Sequence, residues 1–139
     1  MQYTITKKFI TQELAAALIQ KAIDHAKSIN LSISVAIVDM VGNLVAFVRM
    51  DNANLISIGS SQGKAFTAAK STLSTKAFAD FLKANQADIA SLKNENLVPI
   101  AGGLPIIYKG EIIGGIGIGG GSGEQDETCA KIALTILEN

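Results

Sequence analysis

Gly102-Gly103-Leu104-Pro105, then Gly114-Gly115-Ile116-Gly117-Ile118-Gly119-Gly120-Gly121, then Ser122-Gly123-Glu124-Gln125-Asp126: with Gly110 between them, these segments hold ten of the chain's 13 glycines and govern how the rest is read. Glycine weakens strands and helices, so such a concentration marks turns, bulges or backbone that another element approaches closely. Gly115-Ile116-Gly117-Ile118-Gly119-Gly120 satisfies G-x-G-x-x-G between a predicted strand and a predicted helix, the pattern of a dinucleotide-binding turn. That turn also needs a parallel return strand and an acid about 20 residues on. Here only one helix follows before Asn139, and no Gly-Lys-Ser/Thr is present, so no nucleotide cofactor is expected. The amides of Gly119 to Gly123 could still receive an anion at a helix N-terminus. Against this, Ser122 and Gln125 match a capping box, and Glu124, Asp126 and Glu127 complement the helix dipole and repel an anion. The self-capped helix is the preferred reading.

Outward from this stretch, Leu104 to Tyr108 and Ile112 to Ile118 read as antiparallel strands about a tight Lys109-Gly110-Glu111 turn. The final helix carries Cys129, Ile132, Ala133, Ile136 and Leu137 inward. Near the N-terminus, Thr11 caps a helix that runs to about Ser28, with Leu14, Leu18, Ile19, Ala22, Ile23 and Ala26 at helical spacing. Ser32 to Val38 and Leu44 to Met50 form a second predicted hairpin, with turn residues from Asp39 to Asn43. Leu55 to Ser71 is a helix with Leu55, Ile58, Ala65, Phe66, Ala69 and Leu73 on one apolar stripe. Its opposite face, Ser57, Ser60, Lys64, Thr67 and Ser71, is small and hydroxylated, and is expected to be covered by a partner or to line a cavity. Lys76 to about Asn94 holds one or two short helices with Phe78, Phe81, Leu82, Ile89 and Leu92 inward. Two hairpins flanked by helices predict one α+β domain over residues 1–139, an antiparallel sheet with helices packed on it.

Lys+Arg and Asp+Glu balance at 12 each, so no bulk field draws the chain to nucleic acid or an anionic membrane. The same neutrality offers little resistance to self-association. Aromatic residues make up 5% with no tryptophan, which argues against base-stacking platforms. The single Cys129 excludes an intrachain disulfide. With no basic-then-apolar leader and no apolar run near the ~20 residues of a membrane span, a cytoplasmic location is expected.

Five segments occur together in one known group. They are Val35-Ala36-Ile37-Val38-Asp39 with Gly42; Arg49-Met50-Asp51 with Ala53; Lys64-Ala65-Phe66-Thr67-Ala68; Gly102-Gly103-Leu104-Pro105; and Ile113-Gly114-Gly115-Ile116-Gly117 with Glu124-Gln125-Asp126. On these segments the chain resembles the GlcG/HbpS family, related to the C-terminal domain of PduO-type proteins. The resemblance implies a profilin-like or Roadblock-like sandwich, with a five-stranded antiparallel sheet and helices on both faces. It also implies homo-oligomers, from dimer to octamer, and for some members binding of haem or a link to haem degradation. Others sit in glycolate or diol utilisation clusters. Two positions depart from the family pattern: Gly117-Ile118-Gly119-Gly120 lacks the usual serine, and Asn52 stands where glycine is common.

Ligand-binding candidates from these segments are Lys64, Arg49, Asp51, Gly102, Gly103 and Gln125. Lys64 amid hydroxyls can act as a lowered-pKa amine or an anion anchor. Arg49 and Asp51 end a strand, where they can pair with each other or hold a carboxylate ligand; the rival role for all three is an oligomer or interdomain salt-bridge network. His25, the single histidine, lies at the edge of an apolar stripe and is the candidate axial ligand to haem iron; its rival role is a boundary residue bonded to a carbonyl. Asp39 and Asp126 read as turn and cap residues, and Cys129 as a small buried hydrophobe. Two functions follow. One is a haem- or tetrapyrrole-binding oligomer linked to haem handling or degradation. The alternative is an accessory protein or enzyme of small hydroxy-acid or diol metabolism, with its ligand site at a subunit interface.

Overall fold

Period-two alternation of glycine and isoleucine in the last strand sets the architecture. The computed structural model describes residues 1–138. Its elements run α1 (Gln12–Ser28), β1 (Ser34–Asp39), β2 (Leu44–Arg49), α2 (Ile56–Ser71), α3 (Thr75–Ala84), a 3-10 segment (Ile89–Glu95), β3 (Gly103–Tyr108), β4 (Glu111–Gly119) and α4 (Gly123–Leu134), with a closing 3-10 turn (Thr135–Leu137). The strands pair antiparallel in the order β2-β1-β4-β3. In the central pair, Val35 lies opposite Ile118 and Ile37 opposite Ile116; these side chains join the core formed with α1 and α4. On the other face Ala36 lies opposite Gly117 and Val38 opposite Gly115, and α2 packs there through Ala65 and Ala69.

The glycines are what let α2 lie so close. A Cβ on Gly117 would stand 2.5 Å from the Ala65 nitrogen and nearer still to the Ser61 carbonyl oxygen. A Cβ on Gly115 would stand 3.1 Å from the Ala69 nitrogen and nearer still to the Ala65 carbonyl. Helix backbone thus rests almost directly on strand backbone. The G-x-G-x-x-G match is a helix-docking surface, with no parallel return strand among the described residues.

This packing bears out only part of the expected orientation of α2: Ala65 and Ala69 of the apolar stripe face the sheet, but Leu55 and Leu73 do not. Its inward face holds Ser57, Ser61, Lys64, Ala65, Thr67, Ala68 and Ala69, whereas Leu55 and Ile56 at its start are exposed. Small residues go inward because only they fit at this spacing, and the hydroxyls find local partners. Ser57 shares a hydrogen bond with Ser34 at 2.7 Å; Ser61 donates to the Ile58 carbonyl, and Thr67 to that of Gly63 while accepting from the Val98 amide. The hydroxylated face is covered by the chain's own sheet.

Other expectations hold or shift for definable reasons. Thr11 accepts from the Leu14 amide and caps α1, and Ser122 with Gln125 forms the reciprocal capping box of α4. Lys109 and Gly110, both at positive φ, turn β3 into β4. The sheet has four strands among the described residues, not five. The N-terminal segment gives β4 only one bond, Ile10 N–H to the Ile113 carbonyl at 3.0 Å, too little to build a ladder. Phe81 and Ile89 are exposed, Phe78 and Leu92 half-buried, and Leu82 alone of the five is buried, because α3 and the 3-10 segment are too short to bury a full stripe. Among the described residues no helix is long and apolar enough to cross a membrane.

Candidate functional site

Three places collect the chemistry-bearing residues. The first is a buried junction where α2, β4 and α4 meet. Lys64 points from α2 past the end of β4, donates to the Ile118 carbonyl at 2.9 Å and pairs with Asp126 Oδ2 at 3.1 Å. Asp126 Oδ1 accepts from the Gly121 amide at 2.8 Å. Both side chains are at least 95% buried, with relative exposures of 5% and 2%. Gly102 makes room for the ammonium: a Cβ there would sit 2.8 Å from Lys64 Nζ and 3.0 Å from Asp126 Cβ, and its φ of +131 is one that side chains rarely adopt. Gly103 packs against the Lys64 backbone and donates its amide to the buried Thr75 hydroxyl at 2.9 Å. Four of the expected site residues, Lys64, Gly102, Gly103 and Gln125, therefore gather in one region. Gln125 is spent on the capping box, its Oε1 accepting from the Ser122 amide. Both partners of Lys64 named here lie inside its own chain, and they tie α2 to β4 and α4.

Asp126 exceeds the cap role expected of it. It braces the turn before α4 and is also the counter-ion of Lys64, a partnership 62 residues long in sequence. Its charge reaches Cys129 one helical turn on. Burial, and then Asp126, push that thiol up to about 11, so Cys129 is an inert core residue. Asp39 fills its expected role, its Oδ1 accepting from the Val41 and Asn43 amides at 3.0 Å each.

The second place is an apolar cleft of about 360 Å³ between the N-terminal segment, the first turn of α1 and the β3–β4 hairpin. Phe9, Ile10, Leu14, Ile113 and Leu137 line it, with Lys8, Thr11 and Tyr108 at its polar margin. Lys8 lies 3.6 Å from Glu111, and Lys109 sits 5.3 Å from the centroid of the Tyr108 ring. The Tyr108 hydroxyl has no side-chain hydrogen bond among the described residues. His25 is half-buried near the other end of α1, about 16 Å along the axis from Leu14 at 1.5 Å per residue. It is not part of this cleft.

The third place is a groove of about 460 Å³ between α1 and the end of β2, lined by Gln20, Ile23, Lys27, Val48, Arg49, Met50 and Asp51. Arg49 and Asp51 share this groove but form no ion pair with each other. Among the described residues no group of three or more His, Cys, Asp or Glu is placed to hold a metal ion.

The sequence pointed to Lys64 and Arg49 but missed Asp126 as a buried partner, and missed Phe9, Leu14, Tyr108 and Lys27 as cavity residues. A lone cation on an inward hydroxylated face requires a buried acid, and that requirement was the available signal for Asp126. The cleft had no such signal, because its walls come from three distant parts of the chain.

Comparison with known proteins fits this architecture. The family described as "Haem degrading protein HbpS-like" matches residues 10–135. Protein GlcG of Escherichia coli (strain K12) is 36% identical over 113 residues, covering 81% of this chain and 83% of GlcG. A crystal structure of a Streptomyces reticuli HbpS double mutant superposes with a TM-score of 0.89 at 30% identity, covering 98% of this chain and 92% of the other. A crystal structure of a PduOC–haem complex superposes with a TM-score of 0.84 at 28% identity, covering 94% and 96%. The chain belongs to the HbpS-like family.

Proposed function

We propose that this protein binds haem or a related tetrapyrrole in the apolar cleft beside Tyr108, acting in the cytoplasm as a homo-oligomer of two to eight chains in haem handling or degradation. The observation that carries the reading is the cleft itself. Five apolar side chains wall a space within the usual range for ligand pockets, and two lysines lie at or near its margin where carboxylates can be met. An apolar ring with acidic substituents is what such a wall and such a rim complement. Haem in complex with PduOC, a structural neighbour, supports the choice of ligand.

Phe9, Ile10, Leu14, Ile113 and Leu137 would hold the macrocycle by excluding water from its faces. Lys8 and Lys109 would meet the propionates. Tyr108 places a phenol at the mouth of the cleft, and tyrosine is an established iron ligand in haem proteins. Haem supplies the redox chemistry of its iron when bound; the chain supplies orientation and shielding. Self-association is favoured by exposed apolar residues away from the cleft, among them Leu55, Ile56 and Phe81.

Haemin titration followed by absorbance tests this. A saturable Soret change is expected, retained in His25→Ala and altered in Tyr108→Phe with loss of the phenolate-to-iron absorption. Loss of the band in His25→Ala, with Tyr108→Phe unchanged, moves the site to the other end of α1 and overturns the cleft assignment. No spectral change at micromolar haemin overturns tetrapyrrole binding altogether.

A further inference from the structure

We propose that the N-terminal arm, residues 2–6, adds as an antiparallel strand to the outer edge of β2 in a second copy of this chain. The exchange presupposes the self-association proposed above and supplies its contact; it does not depend on the haem reading. Gln2-Tyr3-Thr4-Ile5-Thr6 alternates polar with apolar and is rich in aromatic and β-branched residues, the period and composition of a half-buried strand. Yet Tyr3 is 88% and Ile5 72% exposed, and no backbone–backbone hydrogen bond involves residues 1–9 among the described residues. Gln2 bonds only within the arm, to the Thr4 carbonyl at 2.8 Å. The arm is tied at its root, where Lys8 meets Glu111 and the Ile10 amide reaches the Ile113 carbonyl. A strand-type sequence without a ladder calls for a partner outside its own chain.

The sheet offers two edges, β2 and β3. Natural edges are blunted by proline, charge or bulges. β3 carries Pro105, which has no amide to donate, and its Gly103 amide is already spent on Thr75. Residues 44–48 of β2 contain neither proline nor charge, and beyond a bulge at Val45 the strand is regular. Among the described residues no backbone bond reaches Leu44–Arg49 from any segment except β1. Val48, paired with Val35 on the α1 face, is 39% exposed and borders the groove whose apolar lining includes Ile23 and Met50. An arm laid along this edge with its odd positions on that face seats Tyr3 and Ile5 in the groove.

Charge sets the direction. Antiparallel pairing carries Lys7 and Lys8 toward Leu44, whereas parallel pairing brings them up to Arg49, and like charges across a ladder are destabilising. Area sets the partner. An aromatic side chain buries ~150–250 Å². In a reciprocal exchange the two Tyr3 rings and the surfaces that receive them therefore account for on the order of 700 Å² of the ~1,200–2,000 Å² in a stable interface. Ile5 and the strand backbone carry the total toward that range. A second copy fits because each chain has one arm to give and one edge to receive.

The test mixes unlabelled Thr4→Cys chains carrying a nitroxide with ¹⁵N-labelled wild type. Cys129 is buried with its thiol pushed up to about 11, so the label goes to position 4. Broadening of the amides of residues 44–49 in the labelled copy is expected. In sedimentation, deletion of residues 2–5 and, separately, Val48→Lys on the edge should each weaken self-association by about tenfold or more. Unchanged circular dichroism verifies that both variants fold. Broadening centred on residues 103–108 or on the arm itself overturns the exchange. So does a wild type that associates while the deletion variant associates equally well. A wild type that stays monomeric overturns self-association itself, and the exchange with it.

Discussion

A single methyl group on β4 should be enough to pry α2 from the sheet. In Gly117→Ala the new Cβ would stand 2.5 Å from the Ala65 nitrogen, where ordinary contact begins at 3.4 Å, and it would press harder still on the Ser61 carbonyl. The helix would have to retreat by about 0.9 Å or more. Backbone lies on both sides of the clash, so no side-chain rotation relieves it. Overpacking of well-filled interiors costs roughly 1–3 kcal/mol, and a backbone clash on both sides puts this variant at the top of that range, about 3 kcal/mol. Gly59→Ala in the same helix is the control, since nothing lies within 4 Å of its Cβ. It should stabilise by about 0.5–1 kcal/mol through helix propensity. Urea unfolding followed by circular dichroism measures both. If Gly117→Ala lies within 1 kcal/mol of wild type, backbone-on-backbone docking of α2 is wrong.

Two further predictions concern the buried junction. Lys64→Met leaves Asp126 buried without its counter-ion and should cost about 3–5 kcal/mol. Lys64→Met with Asp126→Leu should recover part of that loss, whereas additive losses in urea unfolding would mean the two residues are not coupled. The Cys129 thiol is raised from 9.0 to about 11 in the folded chain, so the folded state holds a proton that the unfolded state releases first. Its contribution is complete below pH 9 and is lost as pH rises to 11, at about 1.4 kcal/mol per pH unit. Stability of wild type should therefore fall more steeply than that of Cys129→Ala across this window; parallel curves would contradict a thiol held protonated by burial and Asp126.

The legible parts of the fold were those whose signals are local. The Thr11 cap, the Lys109-Gly110 turn and the Ser122/Gln125 capping box each act within four residues, and each stands where the sequence put it. α2 was read correctly at Ala65 and Ala69 but not at Leu55 and Leu73, because a helical wheel assumes that large apolar residues mark the buried face. Against Gly115 and Gly117 only small residues fit, so Ala65 and Ala69 face the sheet while Ile56 faces outward. The glycine alternation in β4 contained that information, but only once β4 and α2 are known to be neighbours. The pairing of Lys64 with Asp126 and the cleft joining Phe9, Tyr108 and Leu137 are tertiary facts of the same kind. The functional candidates divided accordingly. Lys64, Gly102 and Gly103 prove to build the junction, while Arg49 and Asp51 open onto a groove.

The central claim, a tetrapyrrole seated in the Tyr108 cleft, is tested most directly by methyl NMR during addition of ferric haemin, whose paramagnetic iron broadens nearby signals. Selective broadening of the methyls of Ile10, Leu14, Ile113 and Leu137 is predicted, with Ile23 and Ile33 left sharp at equimolar haemin. Broadening centred on the far end of α1 around His25, or no selective broadening at any residue, would contradict the account.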